Sequence, residues 1–187
     1  VLIGLNGVAA AVAGLALAGA ILLYGYHHKG NPLGPVLMGS CRALVYIGAA
    51  TAAVGSISVT VSVAGLAVLA HVVGLTYAAK QESLDRIDRL WPLAVLVLPL
   101  ALGLPQFASG WAGMLAWLAL AAADLLAVQE LRRRSRPGAV PRSVAALIAA
   151  ISLVDALFVS AVSPAVAAAC MAGYLVTRLL HRAIPGT

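Results

Sequence analysis

Charge is scarce in this chain. Only 10% of its 187 residues are charged, 63% are hydrophobic and the mean hydropathy is +1.02, well outside the range of a soluble globular domain. Water is therefore excluded as the main solvent. Alternation of apolar and polar residues is also missing; the apolar runs are continuous and rich in Ala and Leu, which argues against a membrane barrel. Cysteine is limited to Cys41 and Cys170, far apart and without a C-x-x-C pair, so neither a disulfide framework nor a zinc site is indicated. Each reads as a small side chain in apolar surroundings. An initiating Met is lacking too. The chain opens Val-Leu-Ile-Gly, apolar from its first residue, without the basic flank or cleavage pattern of a signal peptide; it is expected to be a fragment of a longer protein.

What is present is a succession of apolar stretches near the roughly 20 residues needed to cross about 30 Å of hydrocarbon. They read as Val1 to Tyr24, Val36 to Val54, Ile57 to Ala79, Leu90 to Leu104, Gly110 to Gln129, Val144 to Val159 and Pro164 to Leu180. The expected fold is all-α, a polytopic bundle of about seven helices forming one transmembrane domain over residues 1–187. The fourth stretch carries Pro92 and Pro99, with Pro105 just beyond, and is expected to kink. Ser160-Ala-Val-Ser-Pro164 reads as a tight turn at a membrane surface. Gly and Ala inside the apolar runs favour close helix approach in lipid.

If the helices alternate in direction, the chain start and the second, fourth and sixth connections share one side, and that side holds no Lys or Arg. All 12 basic residues fall on the other. By the positive-inside rule that side is the cytoplasm, and the chain is an integral, multi-pass protein of the inner (cell) membrane. The net charge of +6 then answers to anionic headgroups of the lipid bilayer rather than to nucleic acid.

Two basic-side connections carry candidate chemistry. One reads Tyr24-Gly-Tyr-His-His-Lys-Gly-Asn-Pro-Leu-Gly-Pro35, leading on to Arg42; the other runs from Tyr77 to Pro92. In the second, Gln81 and Asp85 stand four apart and share a face if the third helix continues past the membrane surface. Mg2+ favours carboxylates combined with substrate phosphates and waters, so Asp85 with Glu82 or Asp88 suits a Mg-diphosphate. The simpler alternative is a solvated loop in which Lys80, Glu82, Asp85, Arg86, Asp88 and Arg89 pair with one another. Lys29, with His27 and His28, suits a phosphate, or else forms an interfacial anchor with Tyr24 and Tyr26. Within the apolar segments, His71, Asp124 and Asp155 are costly to bury and are candidates for function or for interhelical hydrogen bonds. Asp124 is expected a little over one turn from the basic end of its helix.

These two connections resemble the UbiA superfamily of intramembrane prenyltransferases. Gly34-Pro-Val-Leu-Met-Gly39 after a Lys-containing loop is similar to the family's fourth-to-fifth helix connection, and Tyr77 to Asp85 resembles its second aspartate-rich motif. His28-Lys-Gly-Asn-Pro-Leu-Gly-Pro35 and Gln81-Glu82 look closest to the UbiA-like subgroup called EboC. The resemblance implies transfer of an isoprenyl group from an isoprenyl diphosphate to an aromatic or other lipophilic acceptor, with Mg2+ as cofactor. By position it matches Asp85, Tyr77 and Lys29, which are expected to be catalytic; with the loop chemistry, Lys29, Arg42, Arg86, Gln81 and Asn31 are expected as substrate contacts, and Asp85, Glu82 and Gln81 as metal ligands. Gln81 departs from the family, which has an Asp there, and the first aspartate-rich motif would lie upstream of Val1. A competing expectation keeps the fold without the catalysis: an EboC-type protein that binds or helps export a lipophilic precursor. A generic transporter would show repeated halves, and no internal repeat is visible.

Overall fold

The computed structural model describes residues 7–27, 31–80, 91–132 and 138–183. Among these the chain is helical, without strands. Eight α-helices follow one another: α1 (Val8–His27), α2 (Gly34–Val54), α3 (Val59–Lys80), α4 (Val97–Leu102), α5 (Leu104–Ala108), α6 (Trp111–Arg132), α7 (Ala139–Val159) and α8 (Pro164–Ala183), with a 3-10 helix over Trp91–Leu96. Helices α1, α2, α3, α6 and α7 are each long and apolar enough to cross a membrane. Many of their large apolar side chains point outward, with Val59 80%, Leu15 73% and Leu126 62% exposed. Such surfaces suit lipid contact, and the fold is that of a multi-pass membrane protein.

The fourth apolar stretch breaks up as its prolines require. Its longest helical apolar run is Leu93–Leu102, half a membrane crossing. Pro99 and Pro105 supply no N–H to a helical ladder, and the chain passes from a 3-10 turn into α4 and then α5. At the break, Gly103 N–H donates to the Pro99 carbonyl at 2.9 Å. The turn after α7 forms where the sequence places it: Ser163 and Val162 N–H both donate to the Val159 carbonyl, at 2.9 and 3.0 Å, before Pro164 starts α8. Helix α8 is not among the five long apolar helices, and its C-terminal half carries Arg178, His181 and Arg182.

The chain divides into two compact units, Val1–Val73 and Gly74–Thr187. In the first, α1 packs along α2, and the Tyr24 hydroxyl donates to the Met38 thioether at 3.8 Å. A Cβ on Gly39 would sit 2.8 Å from the Leu69 carbonyl oxygen, and one on Gly65 would sit 3.7 Å from that of Ala43. Position rises along α2 as it falls along α3, so the two run antiparallel, brought close by small residues. Glycine also ends α2: Gly55 takes the left-handed conformation (φ 70°) and donates to Thr51 O. In the second unit α7 packs between α6 and α8, and α5 lies against α6. Its core is made of Leu120, Leu131, Leu147, Leu153 and Leu157, each 0 or 1% exposed.

Candidate functional site

Of the residues singled out in the sequence, Lys29, Gln81, Glu82, Asp85 and Arg86 lie outside the described residues, as does the expected continuation of the third helix beyond Lys80. The expected meeting of the two connections rests on those same residues. Asn31, Arg42 and Tyr77 are described. The Asn31 side-chain oxygen accepts the Leu33 N–H at 2.8 Å, and the Asn31 carbonyl accepts that of Gly34 at 3.1 Å. This Asx turn leads into α2, with Pro35 in its first turn. Arg42 is exposed and sits inside α2 rather than in the connection before it. Eight residues beyond Gly34 it lies roughly 12 Å along the helix. Its long stem lets the guanidinium reach back toward an interface. Tyr77 is half-buried, one turn before the end of α3.

The second unit builds a cavity. Its volume is about 330 Å³, and its walls come from the 3-10 turn with α4 on one side and α6 on the other. Leu93, Leu96, Val97 and Leu100 face Ala121, Asp124, Leu125, Val128 and Arg132. The wall opens five residues after Asp88. A Cβ on Gly74 would fall 2.6 Å from Leu96 Cδ2, so the end of α3 packs directly on this wall.

Two polar groups punctuate an otherwise apolar lining. Arg132, exposed, ends α6 at the rim. Asp124, 5% exposed, stands eight residues deeper, about 12 Å by helical rise. The apolar pattern predicts a helix end near Gln129, with Asp124 little more than one turn from the basic end. The helix runs on to Arg132, and the depth is over two turns. Val97 and Leu125 are 60% and 58% exposed, so the cavity reaches the lipid-facing surface. His71 is fully buried in α3, and Asp155 is half-buried one turn before the end of α7.

A second cavity, of about 640 Å³, lies among α6, α7 and α8. Arg142 Nε and Nη2 donate to the same Glu130 oxygen at 3.0 and 2.7 Å, joining the end of α6 to the start of α7. Ser143, 1% exposed, donates to the Ala127 carbonyl at 2.7 Å. Arg178 and His181 also line it, bringing the basic ends of the three helices together. Arg142 and Arg178 count in the sequence only toward topology, and nothing there predicts this cavity; Tyr174, Arg178 and His181, spaced for one helix face, are the available signal.

Among the described residues no group of three His, Cys, Asp or Glu side chains is placed to hold a metal. No family model, curated protein or solved structure matches the chain.

Proposed function

We propose that this chain is a UbiA-type membrane prenyltransferase, binding an isoprenyl diphosphate with its head at the Tyr77 to Asp88 connection and its chain in the 330 Å³ cavity. One observation carries this reading: the cavity is apolar, opens toward lipid, has a cationic rim at Arg132, and begins five residues after the proposed diphosphate motif. A membrane site of this kind suits an amphiphilic donor. The isoprenoid stays in hydrocarbon, and the diphosphate meets cations at the interface.

In this proposal Asp85 and Glu82, with the neutral Gln81, hold Mg2+, which when bound supplies charge neutralisation to the departing diphosphate. By the resemblance, Lys29, Arg42 and Arg86 contribute positive charge, and Asn31 and Tyr77 are further contacts to the head group. Arg132 is added to this set by its place on the rim. Asp124 faces the chain end of the pocket and is placed to accept a hydrogen bond from a lipophilic acceptor. Seven crossings, a cytoplasmic basic side and a location in the cell membrane complete the proposal, with the broken fourth stretch and α8 as the remaining two helices of a UbiA-like bundle.

Gln81 favours a second reading, in which the pocket binds or passes on an isoprenoid precursor without ionising it. A single assay separates the two. Full chain in lipid nanodiscs is incubated with farnesyl diphosphate, Mg2+ and a phenolic acceptor, and released diphosphate is counted. Release that depends on Mg2+ and disappears in Asp85→Ala supports transfer. Saturable binding with no release supports the carrier reading, and absence of both rejects the two together.

A further inference from the structure

The 640 Å³ cavity is a place where charge has been concentrated at the end of an apolar three-helix packing. Helix α8 supplies Tyr174, Arg178 and His181 at spacings of four and three residues, one helical face. Helix α7 supplies Arg142 from its first turn. That turn contains no acidic residue, and its N-cap, Gly138, forms no side-chain cap. The positive end of the α7 dipole is therefore uncompensated by its own sequence. Glu130 pairs with Arg142. Against that one carboxylate, which occupies one edge of the Arg142 guanidinium, stand two guanidinium groups, and the Arg142 side chain stays 54% exposed.

We infer that this cavity is a binding site for the phosphate head of an anionic amphiphile. Planar guanidinium forks match phosphate oxygens in pairs, and Tyr174 and His181 add hydrogen-bonding groups on the same face. Leu126, 62% exposed and part of the same lining, supplies an apolar wall on which an acyl or prenyl chain can lie. The site lies on a different face of α6 from Asp124 and Arg132, whose cavity has α4 as its other wall. It stands independently of the prenyl-transfer reading, and its failure would leave that reading intact.

The test uses full chain in phosphatidylcholine nanodiscs doped with phosphatidic acid, with bound lipid counted by native mass spectrometry. Arg142→Gln combined with Arg178→Gln is expected to lower phosphatidic acid retention about tenfold, the loss of two charge-assisted contacts. The charge-matched pair Arg133→Gln and Arg134→Gln is expected to leave it unchanged. Glu130→Gln, which removes the competing carboxylate, is expected to raise it. A parallel arm titrates inorganic diphosphate: displacement of the lipid assigns the site to free phosphates as well, and no displacement assigns it to the lipid headgroup. Equal losses in the two arginine pairs, or no gain in Glu130→Gln, would show only diffuse attraction of a basic surface to anionic lipid and would overturn the assignment.

Discussion

The indole N–H of Trp117, in the second turn of α6, donates to the main-chain carbonyl of Leu100 at 2.9 Å. Leu100 stands just before the break between α4 and α5, where a continuous helix would have used the N–H of residue 104 instead. In hydrocarbon a carbonyl left without a donor is costly, so one side chain from a neighbouring helix makes the proline-rich break tenable. The Phe107 ring meets the same indole edge-on, with centroids 5.3 Å apart.

Trp117→Phe is therefore expected to destabilise the fold by about 1–3 kcal/mol through the orphaned carbonyl, while Phe107→Leu, which spares the hydrogen bond, costs less. Reversible unfolding in mixed micelles measures both. Equal stability of Trp117→Phe and the parent would remove the hydrogen bond from the account of the break.

Glycines separate into those under contact and those in open space. A Cβ on Gly113 would run into the carbonyl oxygen of Gln106, whereas one on Gly48 of α2 meets nothing within 4 Å. Gly113→Ala is expected to cost about 1–3 kcal/mol through forced backbone movement. Gly48→Ala is expected to gain up to about 1 kcal/mol of helix propensity. The same unfolding measurement checks the pair, and a neutral Gly113→Ala would contradict the close approach of α5 and α6.

Filling the first cavity separates recognition of the isoprenoid from recognition of phosphate. Ala121 lines the wall opposite α4, and Ala121→Phe is expected to weaken farnesyl diphosphate binding about tenfold, comparable to losing the burial of one apolar group of the isoprenoid. Inorganic diphosphate binding is expected to stay unchanged. Calorimetry on both ligands reads the difference; parallel losses would place the isoprenoid elsewhere.

Much of the architecture was legible because apolar length is read directly against membrane thickness. Six of the seven expected stretches return as single long helices, with ends moved by a few residues, and the prolines at 92, 99 and 105 mark the stretch that breaks. The remedy for the break was not legible, since nothing in the spacing of Trp117 and Leu100 announces their contact. Asp124 was recognised as an intramembrane carboxylate, yet its depth was underestimated because α6 carries its apolar pattern on through Leu131 to Arg132. The turn that the Asn31 side chain closes into α2 is a local pattern the sequence does carry, Asn followed by Pro and Gly. The α6–α7–α8 cavity depends on residues 130, 142 and 178 meeting, a long-range fact that no local pattern contains.

Sidedness is checked by labelling. In a Cys41→Ser, Cys170→Ser background, single cysteines at positions 84 and 135 are expected to react from one side of sealed vesicles, and those at 57 and 161 from the other. A split within either pair would dissolve the shared basic side.

The central claim, an isoprenoid lying between α4 and α6 with its head at the 81–88 connection, is tested most directly by a photoactivatable farnesyl diphosphate analogue and peptide mapping of the adduct. The account predicts adducts within residues 93–100 and 121–128 that unlabelled farnesyl diphosphate suppresses. Adducts confined to other helices, or undiminished by the competitor, would contradict it.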